Sequence, residues 1–261
     1  MANDRMIALK VRSSDLQPAE VSHTVVDNGA APVITVRSSA SPVDPSFTIV
    51  HSNAAIAGES VAQWTGDWWT WALQSPANQN PVLDQTGAFA NVDNNGPVFF
   101  IAGDFGGDVE RSFSVPAGKP LLVPLLNLVD VEGPGIAPTI PGWKGTFEAE
   151  VNKALAGFQN GGGPNGFQPG VSSDFATIDG VPVKNPQSYL EKSGFFSMGP
   201  VQPGSLIESF GLADGTVLSP AKSVGYWLMI TSLSPGEHTL EFGGIEKNGF
   251  SVHVTDHITV V

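Results

Sequence analysis

Cysteine is absent from this 261-residue chain, which excludes disulfides, thiolate nucleophiles and cysteine-ligated zinc. Basic residues are scarce: 12 Lys and Arg stand against 25 Asp and Glu, for a formal net charge of −13. A chain of that sign repels nucleic acid and anionic membranes, so neither is an expected partner, while divalent cations remain compatible with it. No apolar run approaches a membrane span, and Met1–Val11 lacks the apolar core of a signal peptide. Catalytic signatures are missing as well. There is no G-x-S-x-G elbow, no H-E-x-x-H, no Walker loop and no dinucleotide fingerprint. Paired-carboxylate glycosidase chemistry leaves no spacing signature and stays open.

Glycine and proline, 30 and 21 residues, are abundant, and that density suits many short strands joined by turns. The clearest stretch is Gly96–Asn127. Val98–Ala102 and Leu121–Leu126 are short apolar runs, Val109–Val115 alternates, and Gly103–Gly107 and Pro116–Gly118 supply turns. The pattern predicts three strands of an antiparallel meander. Farther on, Asp179-Gly180 marks a hairpin, Tyr226–Thr231 is a buried run, and Glu237–Phe242 and Phe250–Val261 alternate.

Two segments change period. Ser60 and Gln63 form a capping-box pattern, Pro76 marks the stop, and Val61, Trp64, Trp68 and Trp71 fall on one face of the helix between them. That stripe is expected to pack on a sheet, leaving Trp69 on the other side, available to a carbohydrate. A second short helix is expected over Thr146–Ala156, with Phe147, Val151 and Leu155 inward and Glu148, Glu150 and Lys153 outward. The expected architecture is all-β: a jelly-roll-like antiparallel sandwich over residues 56–261, carrying a Trp-rich helix and a short second helix. Residues 1–55, sparse in core-type side chains, read as an extended arm or edge strands.

Candidate sites follow from oxygen-rich turns and from strand parity. Asp93 and Asn95 precede a Gly turn, and Asp104 and Asp108 flank another, as in calcium loops. Pairing Phe242 with Val252 and Leu240 with Val254 would set Glu241 opposite His253 and Glu237 opposite His257, a possible transition-metal set or else two solvated cross-strand pairs. Arg111 has inward parity and needs a partner, with Asp84 and Asp104 as the candidates. Asp84, Arg111, Lys119 and Asn127 are the nominated catalytic residues.

The run Trp64…Trp68-Trp69-x-Trp71…Asp84…Gly96-Pro-Val-Phe-Phe-Ile-Ala-Gly103…Arg111…Val115-Pro-Ala-Gly-Lys119…Asn127, with Gly225-Tyr-Trp227 and Leu233–Thr239 later, resembles a family of bacterial extracellular proteins with no assigned activity. The resemblance spans about Ser60 to Gly244. It implies secretion and β architecture, and implies that a disulfide of its relatives is replaced here by an aromatic contact of Phe89 and Phe113. The acidic, Gly-rich chain ending Thr255–Val261 also looks like a substrate of type I secretion, unless that tail is simply a last strand. The functional expectation is an extracellular, calcium-stabilised protein binding a glycan or a surface partner. The alternative is a hydrolase or lyase acting on a polymer, with carboxylates in a groove of the sandwich.

Overall fold

A computed structural model of the chain describes residues 10–12, 47–50, 54–136, 138, 140, 142–161, 170–231 and 233–261. Most of the expected arm, including Val33–Val36, and all but the first residue of the Gly161–Gly166 run lie outside the described residues.

In chain order the elements begin with β1 (Lys10–Arg12), β2 (Ile49–Val50), β3 (Ala55–Ile56), β4 (Glu59–Ser60), α1 (Val61–Gln74) and β5 (Phe99–Phe100). Then come β6 (Gly107–Val115), β7 (Leu121–Val131), α2 (Phe147–Asn160), β8 (Val171–Ile178), β9 (Val181–Pro182) and β10 (Leu190–Lys192). The chain closes with β11 (Phe196–Met198), β12 (Leu218–Ile230), β13 (Gly236–Glu246) and β14 (Ser251–Val260). The molecule is β-rich, with two helices and two main sheets. One sheet runs β1-β7-β12-β10, with β5 beside β7 and β2 and β11 beside β12; the other runs β6-β14-β13-β8-β9.

The segments expected as a meander are all strands, but they do not form one. β6 belongs to the five-stranded sheet, where it runs parallel to β14, and β5 runs parallel to β7. The turn at Pro116–Gly118 therefore carries the chain from one sheet to the other. Proline and glycine mark where the chain reverses, but the next strand's partner is chosen by which apolar face it can bury.

The central core lies between the sheets, where Leu121, Val123, Leu125, Val224, Leu228 and Ile230 meet Val109, Ile178, Leu240, Phe242, Val254 and Ile258. α2 adds Val151 and Phe158 to it, the latter against Tyr226 at 6.1 Å between ring centroids. Its N-cap Thr146 accepts from Ala149 N, and the helix runs four residues past the expected end at Ala156. Glu150, however, is buried rather than outward. Its carboxylate accepts the Ile140 N–H at 2.6 Å, satisfying a loop amide that would otherwise lack a partner.

The outer face of the seven-stranded sheet holds a second core, where Leu122, Val129, Ala221, Trp227 and Met229 meet α1. β7 is thus buried on both faces and reads as a nearly unbroken apolar run. The Ser60–Gln63 capping box forms as expected. Trp64, Trp68 and Trp71 are buried, and each indole N–H is tied to a backbone carbonyl: Ile56, Ile101 and Val92, at 2.9, 2.8 and 2.8 Å. Trp69 departs from expectation, being only 2% exposed. It stands edge-on to Trp68 at 5.1 Å, and the chain after α1 folds back over it with Val82 and Phe105. A long loop can cover a helix face that periodicity alone would leave to solvent.

The β13–β14 hairpin is shifted two residues from the expected register. Phe242 pairs with Val254 and Leu240 with Asp256, around a turn at Lys247–Gly249 with Gly249 at φ +90°. A shift of two preserves which side chains face inward, so Leu240, Phe242, Val252 and Val254 all stay in the core. The Asp179-Gly180 hairpin forms between β8 and β9, both residues at positive φ as a primed turn requires. Thr255–Val260, considered above for an export signal, is the second half of β14.

Candidate ligand-binding groove

Arg111 turns inward as its parity requires and is 2% exposed. Its guanidinium nonetheless bonds no carboxylate. Nε donates to the Asp84 carbonyl at 2.7 Å, Nη1 to the Ala102 carbonyl at 2.7 Å and Nη2 to the Gly103 carbonyl at 2.8 Å. The ionic partner is Asp256, at 4.0 Å and without a hydrogen bond. Asp84 turns its carboxylate elsewhere, accepting from Thr86 N, Thr86 Oγ1 and Phe89 N. Burial alone would raise the Asp84 pKa, but the N–H and hydroxyl donors and the nearby Arg111 charge hold it below the ordinary value. Arg111 and Asp84 therefore hold the 84–103 loop in place.

Asp104 and Asn127 come together with Trp68, Trp69 and Pro124 in a crevice between α1 and β7. Burial raises the Asp104 pKa against the Phe105 N–H and the Arg111 charge. The crevice encloses about 20 Å³, room for roughly one water, which is too small for an organic ligand. Lys119 lies apart from this group, in the turn between β6 and β7. Phe113, whose contact with Phe89 the resemblance implied, stacks on Phe99 at 6.1 Å.

The histidine face is also rearranged by the register. Glu241 lies opposite Thr255, and Glu237 opposite Thr259, whose hydroxyl donates to it. His253 Nε2 lies 2.8 Å from Glu241 and Nδ1 3.5 Å from Asp108, whereas His257 reaches Glu110 of β6 at 2.8 Å. The two imidazoles thus have separate carboxylate partners. Among the described residues, no group of three His, Asp or Glu is arranged to hold a metal ion. In the expected calcium loop it is Asn94, between Asp93 and Asn95, that turns inward, bonding the Ala90 and Phe100 carbonyls and the Phe100 N–H.

A larger opening lies over α1. Most of the helix is buried, and its remaining side carries Gln63, Asp67, Thr70 and Gln74, spaced i, i+4, i+7, i+11 as a single stripe. Two adjoining depressions share Asp67. One, of about 390 Å³, is lined by Thr70, Trp71, Gln74, Ser75, Asp93 and Gln202; the other, of about 250 Å³, by Glu59, Gln63, Ser193, Phe195 and Phe196. Together they form a groove of the size that takes small organic ligands. Gln74 Nε2 and Ser75 Oγ are buried along it without hydrogen-bond partners. Phe195, 49% exposed, stands at the other end. At Gly66 a Cβ would lie 3.1 Å from the Phe196 ring that forms one wall, so a side chain there would push that wall outward by a few tenths of an ångström. Asp67 is raised to about 6, by partial shielding first and then by the charge and hydrogen bond of Glu59.

The stripe was readable as the complement of the tryptophan face, whereas the walls from residues 193–196 and 202 are distant in sequence. No family model matches the chain, and no curated protein or solved structure is significantly similar to it.

Proposed function

We propose that the protein is an extracellular, non-enzymatic binding module whose groove over α1 receives an extended polar chain, a glycan. The observation that carries this reading is the polar stripe on an otherwise buried helix. Gln63 Oε1 is used by the Ser60 cap and the Thr70 hydroxyl donates to the Gly66 carbonyl, which leaves the Gln63 amide protons and the Thr70 lone pairs to pair with sugar hydroxyls. Gln74 also accepts from Gln202 N at 3.1 Å, which ties the helix to the far wall of the groove. Phe195, half exposed, adds an apolar ring edge at one end, its face being shared with the Lys222 ammonium at 4.9 Å. The residues nominated for catalysis do not favour the enzymatic alternative, since Arg111 and Asp84 are buried and committed to backbone groups. Secretion belongs to the same reading and rests on the composition and on the resemblance.

The test is calorimetric titration of the full chain with soluble oligosaccharides of varied linkage, repeated on Gln74→Ala and Phe195→Ala. Binding weakened in both variants, with unchanged melting curves, supports the groove. Binding that ignores both variants removes it.

A further inference from the structure

The groove's charge narrows its ligand. Glu59, Asp67 and Asp93 all line it, and no Lys or Arg is among its lining residues. A chain of net charge −13 adds a long-range field of the same sign. An anionic glycan such as a uronate polymer would meet like charge at Glu59, Asp67 and Asp93, and this repulsion acts as rejection.

We propose that the groove selects an amino-bearing sugar chain of the glucosamine type, whose ammonium groups are received by Glu59, Asp67 and Asp93 and whose hydroxyls are received by Gln63, Thr70, Gln74, Ser75 and Gln202. This rests on the glycan reading and deepens it. Two further observations agree. Asp67 lines both depressions, and an ammonium donating to its carboxylate displaces the proton that burial and the Glu59 charge favour there, which leaves to solvent. Lys222 Nζ lies 4.9 Å from the Phe195 ring centroid, so the ammonium groups are received at the carboxylates and not at the aromatic end. The uncharged polar side chains of Gln63, Thr70 and Gln202 beside the carboxylates suit a hydroxyl-rich sugar better than a basic peptide, which brings fewer hydroxyls.

The experiment is titration of the full chain at about pH 6, where sugar amines carry charge. The probes are a glucosamine oligomer, its N-acetylated counterpart, a galacturonate oligomer of equal length, and oligolysine. The glucosamine oligomer should bind roughly tenfold to a hundredfold tighter than the acetylated one, since acetylation removes the charge-assisted hydrogen bonds. Asp67→Asn and Asp93→Asn, with unchanged circular dichroism, should shrink that preference, and so should added salt. Binding should release protons, seen as a heat that varies with the buffer's ionisation enthalpy. Equal affinity for the two sugars overturns the selectivity and leaves the glycan reading standing. Oligolysine binding as tightly as the sugar, with no effect of Gln74→Ala, overturns it in favour of a basic peptide. Absence of binding to every sugar overturns both.

Discussion

Arg111 on β6 and Asp256 on β14 are register partners on parallel strands, both sealed from solvent, yet the arginine spends its hydrogen bonds on three carbonyls and none on the aspartate. The two residues should therefore tolerate change unequally. Arg111→Met strips the Asp84, Ala102 and Gly103 carbonyls of their donors and should cost about 3–5 kcal/mol. Asp256→Asn keeps the shape and should cost under about 1.5 kcal/mol. Urea unfolding followed by circular dichroism measures both. Equal losses would mean that the ionic contact, rather than the carbonyl bonds, holds the 84–103 loop.

Acid should stabilise this protein. Burial raises Asp174, Glu191 and Asp256 each to about 7. Their unfolded values lie near 4, so between about pH 4 and pH 7 the folded state holds protons that the unfolded state has lost. Stability is then greatest toward the lower limit and falls as pH rises through 7. Asp84, with its lowered pKa, acts oppositely but only below its ordinary value. The melting temperature should drop between pH 5 and pH 8, and Asp256→Asn should flatten part of that drop. A rise over the same interval contradicts the assignment.

Gly225 on β12 faces Asn127 on β7. A Cβ there would lie 2.4 Å from Asn127 Cβ and 2.8 Å from its Cα, with Trp227 Nε1 at 2.7 Å. Backbone atoms paired in a sheet cannot give way, so Gly225→Ala should destabilise by about 1–3 kcal/mol and alter tryptophan fluorescence. Gly194→Ala, where a Cβ meets nothing within 4 Å, should stay within about 0.5 kcal/mol and serves as the control.

Trp68 donates to the Ile101 carbonyl and packs edge-on against Trp227 at 5.3 Å. Trp68→Phe removes the donor and leaves a buried acceptor unmet, which should cost about 1–3 kcal/mol in thermal or urea unfolding. A neutral outcome would show that ring volume alone matters at this site.

Much of the fold was legible locally. The Ser60 cap, the Trp64, Trp68 and Trp71 stripe, the start of α2 and the Asp179-Gly180 turn each depend on residues within a few positions of one another. Asp256 was also within reach: it shares parity with Val252, Val254 and Ile258, and an acid at such a position must be buried beside a counter-charge. What local patterning misjudged was pairing. β6 joined β14 instead of β7, the last hairpin slipped by two, and Glu237 and His257 took other neighbours while His253 still reaches Glu241.

By itself the sequence determined the helix at Ser60, the apolar runs that become the central strands, and the chain's net charge of −13. Those are short-range consequences of side-chain volume, turn chemistry and charge. Tertiary structure alone decided that a loop seals Trp69, that Arg111 meets carbonyls from residues 84, 102 and 103, and that residues 193–202 wall the polar side of α1. Contacts between distant segments depend on which surfaces bury most area together, a property of the whole chain that no window of neighbouring residues contains.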